Sequence, residues 1–404
     1  MIERPGYGLR AAASPRAGRM LGAVVLSLLV ACATTMADRA ATGAGGPGQD
    51  TKQPKQKKDA ATRLAEPWPD AAKIRQRRET AENLPLFKSA DPLVFTLTAD
   101  FKTINRDRTV DSPRRVQGVI TVAGPDGKTA SIPVQLGSRG NLRLRSSVCA
   151  FVPLRVEFPK AELKGTVFDG QGTLKLVTHC ENNKEYEQYV LGEYLNYKIF
   201  NLFTPLSYRA RLVGVTYVDS IGNKTITTRY GAFIEDDDDV ARRVDGRIIP
   251  LLDRRFRHLD TEALTLMALL EFMIGNTDFS IIKLHNIRLV QDQPGVFRPI
   301  TYDFDLAGII NPRYGTPDRL LNLQSLKDRL YRGPCRTVQE YEPFLAKFRE
   351  KKAEVMALYD SFPDLTKETR TSSKEYLEEF YAIITNPARV KHFLVDRCPK
   401  VAGI

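Results

Sequence analysis

Asp278, Asn286 and Asp303 are three short-chain oxygen donors within one stretch, Glu271 to Gly308, and Asp305 follows two residues later. Asp278 closes the turn signal Gly275-Asn276-Thr277. Asn286 precedes the apolar run Ile287 to Val290, and the two aspartates end a second run in Tyr302-Asp303-Phe304-Asp305. Polar groups at the ends of short strands joined by tight turns project into clefts rather than cores. An Asp that orients a hydroxyl, with an Asn and an Asp that hold a divalent cation, is what phosphoryl transfer requires, because that reaction needs positioning and charge neutralisation more than covalent help. Asp278 is therefore expected to be catalytic. Asn286, Asp303 and Asp305 are expected to bind Mg2+ or Mn2+, with ATP and water completing the sparse oxygen shell that magnesium favours. Taken singly, each would read as a turn or cap residue; their order and setting make the set functional. His285, beside Asn286, reads as a satisfied structural group.

A cationic partner for these acids is expected earlier in the chain. Lys175 lies mid-run in Thr173 to Thr178, just before a helical pattern over Lys184 to Phe200. A strand lysine paired with a helix glutamate is one way to hold nucleotide phosphates. Glu193 and Glu187 are the candidate partners, with Glu193 preferred. The loop Gly137-Ser138-Arg139-Gly140-Asn141, with Arg143 and Arg145 close by, could cradle phosphates, although a glycine-bearing loop alone is a weak signal. The acidic run Glu235 to Asp239 suits a helix start, where aspartates complement the helix dipole.

The elements that must position these residues follow from periodicity. Runs over Leu93 to Thr98, Arg115 to Val122, Ser131 to Leu136, Phe151 to Phe158 and Thr173 to Thr178 predict a twisted antiparallel sheet. A hairpin over Arg211 to Ile234 turns at Gly222-Asn223. Thr261 to Ile274 is apolar nearly all round and predicts a buried central helix. Gln339 to Phe362 and Thr366 to Thr385 read as further helices. Lys391 to Val395 would be a last short one, and a weak helical patch is expected near Pro69 to Glu82.

The chain has 404 residues, enough for a sizeable core, and a formal net charge of +12. No aromatic-interleaved basic stripe or nucleic-acid motif is present, so nucleic acid is not an expected partner. The charge suits nucleotide, anionic lipid or an envelope polymer. Residues 1–31 read as an export signal, and Leu29-Val30-Ala31-Cys32 resembles a bacterial lipobox, which implies a lipid on Cys32. Its apolar run is about a dozen residues, short of the roughly 20 needed to span a bilayer. Residues 32–84 are expected to form a flexible tether. Apart from Cys32, four cysteines remain: 149, 180, 335 and 398. In an exported chain an even set implies disulfides. Of three pairings, Cys149–Cys180 with Cys335–Cys398 is preferred, since each pair stays within one half.

From about Ile132 to Gly308 the chain resembles the CotH-type atypical protein kinases of the spore coat, and more distantly the HipA-like kinases. The resemblance rests on SRGNLRLR, TLKLVTHCENN, YGAFIEDDDDVARR, GNTD, HN and YDFD in that order. It implies a two-lobed protein-kinase-like α+β fold, with a β-rich N-lobe over 85–238 and a helical C-lobe over 239–404. It also implies ATP with magnesium and a protein substrate. Asp278 then takes the catalytic position and Asn286 and Asp303 the metal positions. Lys175 becomes the nucleotide lysine and Glu235 marks the lobe junction. No H-R-D precedes Asn286, and D-F-D stands where D-F-G is usual. These departures admit a non-catalytic binding module or an enzyme that transfers AMP. The expected location is the cell envelope, lipid-anchored on the periplasmic or outer-membrane side.

Overall fold

A computed structural model describes residues 59–124, 127–159, 162–251 and 254–398. The expected signal, Cys32 and residues 32–58 of the expected tether lie outside them. Residues 59–84 are folded, contrary to the expectation of a tether. Helices α1 (Ala60–Ala65) and α2 (Ala71–Glu82) are capped by the carboxylates of Asp59 and Asp70. Arg63 pairs with Asp238 at 3.1 Å and Arg78 with Asp245 at 2.7 Å. Arg247 donates to the Glu66 carbonyl and lies over the Trp68 ring. The helical patch expected near Pro69 to Glu82 is α2, and ion pairs and carbonyl contacts hold the segment, not an apolar stripe; only Ala81 of α2 is buried.

Strands β1 (Leu93–Ala99), β2 (Val116–Ala123), β3 (Thr129–Ser138), β4 (Leu154–Glu157) and β5 (Thr173–Val177) come next, with helix α3 (Phe101–Arg106) after β1. Helix α4 (Lys184–Phe203) separates them from β6 (Ala210–Asp219) and β7 (Lys224–Ile234). The seven strands form a closed barrel in the order β1-β2-β3-β4-β5-β7-β6. Closure comes from β1, which pairs antiparallel with β2 and parallel with β6, from Leu93↔Val213 to Ala99↔Asp219. Alternation along β1 sends Phe95, Leu97 and Ala99 inward, where Phe95 meets Phe168 and Phe233.

This arrangement overturns the two-lobed kinase-like fold with its antiparallel sheet. The alternating runs identified the strands, but alternation does not say which edges meet. Joining β1 to β6 removes both exposed edges that an open sheet would leave. The barrel interior has an apolar cluster of its own around Phe95, Leu97 and Phe168, and a second cluster crosses between the halves. Val177, Leu212, Ala232 and Ile234 on the strands share one apolar cluster with Leu270, Phe304, Phe348 and Phe380 from the C-terminal half.

The C-terminal half contains α5 (Asp237–Arg243), β8 (Arg247–Ile248), α6 (Thr261–Ile274), β9 (Ile287–Gln293) and β10 (Val296–Thr301). Helices α7 (Val338–Glu350), α8 (Lys352–Asp360), α9 (Lys367–Ile384) and α10 (Pro387–Val390) follow. The second sheet has the order β10-β9-β8. The long helix expected over Gln339 to Phe362 breaks at Lys351, which caps α7 and opens α8. Among the described residues no helix is long and apolar enough to cross a membrane. Cys149–Cys180 and Cys335–Cys398 are disulfide-bonded, the pairing expected from sequence. Disulfides persist in oxidising compartments, so the chain belongs outside the reducing cytoplasm.

Glu235 joins β7 to α5. It is fully buried, and Arg209 and Arg243 donate to its carboxylate at 2.7 and 2.8 Å. Removing the charge leaves two inward-turned guanidinium groups unmatched. Glu235→Gln is therefore expected to cost about 3 kcal/mol of stability, read from urea unfolding midpoints.

Candidate functional site

Helix α6 ends at Gly275, whose φ of +70° is the left-handed cap conformation. A Cβ there would stand 1.8 Å from the Tyr376 hydroxyl, so glycine is required on space as well as backbone. The next residues turn sharply. The Asn276 side-chain oxygen accepts from the Asp278 amide at 3.1 Å. Arg332 donates to the carbonyls of Thr277 and Phe279, on either side of Asp278, at 2.6 and 2.8 Å. Gly308 and Ile309 donate to Gly275 and Ile274, which ties the Asp303–Asp305 segment to the end of α6.

The Ser280–His285 bridge folds the loop back, so two residues seven apart meet: His285 Nε2 lies 3.0 Å from Asp278 Oδ1. Asn286 Nδ2 donates to the Asp278 carbonyl at 2.8 Å and to Oδ2 at 3.1 Å. That leaves the Asn286 side-chain oxygen available to a cation. Leu284, Asn286 and Asp303 are non-glycine residues with φ of +49°, +52° and +67°. Backbone held in this region costs of order 1–3 kcal/mol per residue and persists where the surroundings enforce it. Here the surroundings include the Tyr302 amide donating to the Asn286 carbonyl and the Asp303 amide donating to the Tyr197 hydroxyl.

Across from this turn stands the loop between β3 and β4. It contributes Arg139, Gly140, Asn141, Arg143 and Arg145 to a cleft of about 220 Å³ whose other walls include Asp278, His285, Asn286, Asp303 and Asp305. Arg139 Nη2 lies 3.8 Å from Asp303 Oδ2. Five expected site residues, Arg139, Asp278, Asn286, Asp303 and Asp305, therefore line one cleft.

Burial, then the charge of Asp303, pushes the Asp305 carboxyl up to about 7, and the Tyr314 hydroxyl donates to it at 3.3 Å. Burial, then Asp303 and Asp305, raises Glu193 well above the usual carboxylate range; its Oε1 has no hydrogen-bond partner. Arg143, buried and donating to the Thr178 carbonyl, partly offsets these acids. No group of three His, Cys, Asp or Glu side chains forms a metal cage among the described residues. What the site offers is a sparser oxygen set in which mutually repelling carboxylates would gain from a hard divalent cation.

Three expectations are corrected. Lys175 does not pair with Glu193: its Nζ sits 2.8 Å from Asp237 Oδ1 and 4.1 Å from the centre of the Tyr302 ring. The β5 register turns Lys175 toward the start of α5, where Arg288 shares Asp237 at 2.9 Å. Glu193 instead takes its charge environment from the acids of the cleft. Glu235 serves the arginine cluster described above and has no oxygen left for a nucleotide.

Glu271 was not singled out in the sequence, His285 was read as a structural group, and Arg143 and Arg145 entered only with a loop that could cradle phosphates. Only tertiary folding brings Arg143 and Arg145 opposite Asp278, whereas the adjacency of His285 to Asn286 was a visible signal. Glu271 lies at the end of α6, is 1% exposed, and has Thr301, Asn276 and Arg332 as its neighbours. Neither of its carboxyl oxygens has a close hydrogen-bond partner.

No protein-family model matches the chain, and no curated protein matches it. The site must be judged on its own chemistry.

Burial pushes the Glu271 carboxyl up to about 8, so the folded state holds a proton that the unfolded chain releases near 4.5. Between those values the folded state binds more protons, and its stability must fall as pH rises. The difference in unfolding free energy between the wild type and Glu271→Gln should shift against the wild type from about pH 4.5 to 8, with a slope of at most about 1.4 kcal/mol per pH unit. Parallel pH profiles for the two proteins would refute the assignment.

Proposed function

We propose that the chain is a metal-dependent phosphotransferase of the bacterial cell envelope that moves a phosphoryl group from ATP to a protein, anchored by a lipid on Cys32. The observation that carries this reading is the convergence of Asp278, Asn286, Asp303, Asp305 and Arg139 on one cleft, with Asn286 and Asp303 on left-handed backbone. The reading rests on that site, since the kinase fold does not stand.

Asp278, half-exposed and held by Asn276 and Asn286, is placed to accept a hydrogen bond from an acceptor hydroxyl. His285, bonded to the same carboxylate, limits its rotation; that contact, and secondly the Asp278 charge, raises the His285 pKa. Asn286 through its side-chain oxygen, together with Asp303 and Asp305, would hold Mg2+ or Mn2+. Such an ion supplies charge neutralisation at the phosphate oxygens. Arg139 faces the same space and would bind the phosphates. Lys175, committed to Asp237, acts as a buttress through Tyr302 rather than as a direct phosphate ligand.

One observation favours a second reading. The lysine–glutamate pair that orients nucleotide in kinases is not formed by Lys175 and Glu193, which suits a module that binds a nucleotide or partner without transfer.

Magnesium-ATP should raise the melting temperature of the full-length protein purified in mild detergent, because a ligand bound to the native state stabilises it. ATP with chelator should not. Asp303→Ala should abolish the shift, whereas Asp278→Asn should keep it but lose phosphate transfer to protein. Identical shifts for the wild type and Asp303→Ala would sink the metal-nucleotide site. A shift without transfer in the wild type would select the binding module.

A further inference from the structure

Most cations around the cleft are committed within the protein. Arg139 faces Asp303, Arg143 holds the Thr178 carbonyl, Lys175 and Arg288 share Asp237, Arg313 pairs with Glu185, and Arg332 holds two carbonyls. Arg145 and Lys283 differ. Both are exposed, and neither side chain has a hydrogen bond or ion pair among the described residues. Arg145 lines the cleft directly, and Lys283 is close enough to the cleft-lining His285 to act on its charge.

Both uncommitted cations stand on fixed backbone. The Arg145 carbonyl accepts from the amides of Val148 and Cys149, and Cys149 is tied to Cys180 by the disulfide. Arg108 fastens the same loop through the carbonyls of Leu144, Cys149 and Ala150. The Lys283 amide donates to the Ser280 hydroxyl inside the Ser280–His285 bridge, and Leu284 beyond it is left-handed. The acids of the cleft, Asp278, Asp303 and Asp305, are those assigned to hydroxyl and cation. The uncommitted charge left for an incoming chain is that of Arg145 on the lining and of Lys283, two residues from the lining His285.

We propose that the cleft takes an acidic polypeptide segment as its acceptor, with carboxylates of that segment facing Arg145 and Lys283. The acceptor role rests on the phosphoryl-transfer reading; the binding preference does not. A flat anionic membrane fits less well, because Arg145 belongs to the wall of a concave site and not to a projecting patch.

Fluorescence anisotropy of labelled octaglutamate and octalysine peptides with the full-length protein, at low salt, tests the proposal. Octaglutamate should bind and octalysine should not, and added salt should weaken the complex. Arg145→Glu/Lys283→Glu should weaken octaglutamate at least about tenfold, because like charges then meet in the site. Lys224→Glu, an exposed control on β7, should not. The double variant should keep the melting-temperature shift with magnesium-ATP, which shows that it is folded and that the two cations do not serve the nucleotide. Comparable binding of both peptides, unchanged octaglutamate binding by the double variant, or loss of its nucleotide shift would each overturn the inference. So would vesicles of phosphatidylglycerol losing affinity in the double variant while octaglutamate does not. If the wild type shows no nucleotide shift, the phosphotransferase reading fails, and the peptide titration still decides the binding preference.

Discussion

Parallel pairing of β1 with β6 runs the length of β1 and turns a seven-stranded sheet into a barrel. The cleft depends on that closure. The end of β3, the start of β4 and the end of β5 share one end of the barrel, so the loop carrying Arg139, Arg143 and Arg145 has a fixed base. Phe151 stacks on His179 and Tyr217 meets both rings edge-on, and the adjoining disulfide ties the loop to the segment that leads into α4. An open sheet could twist and shift this loop against the acids, whereas a closed one holds it in place.

The opposite wall is set by a helix end. Gly275 stops α6, Asn276 and Arg332 shape the next turn, and backbone hydrogen bonds from Gly308 and Ile309 draw in the segment bearing Asp303 and Asp305. Left-handed backbone at Asn286 and Asp303 is the local cost of aiming both side chains into the same space. Helix α4 connects the two walls. It packs its Tyr197 against Phe304 and presents Glu193 to the acids, and one apolar cluster runs from the barrel strands into the helices.

Electrostatics give the site its direction. Asp303 acts on both Asp305 and Glu193, burial raises both of these carboxyls, and Arg143 offsets them only in part. Such an arrangement stores repulsion that a divalent cation relieves. The lysine that might have relieved it, Lys175, is held elsewhere by Asp237 and by the face of Tyr302. Negative charge gathers around Asp303 and Asp305, while Arg145 on the lining of the same cleft is left uncommitted.

Local patterns in the sequence determined a good deal. Period-two alternation located the strands, the apolar run located α6, and turn residues placed Asp278, Asn286 and Asp303 at element ends. Cysteine parity, with the preference for pairing within each half, gave the disulfides. Those features depend on neighbours a few residues away, or on simple counting. Which strand edges meet, whether the halves share a core and where Lys175 points depend on contacts between residues far apart in sequence, such as Lys175 with Asp237 and Leu93 with Val213. Composition cannot report these, because an alternating strand serves an open sheet or a barrel equally well and a lysine can satisfy itself on any nearby carboxylate. Only the tertiary structure decided them, and with them that Arg145 reaches the cleft while Glu235 does not.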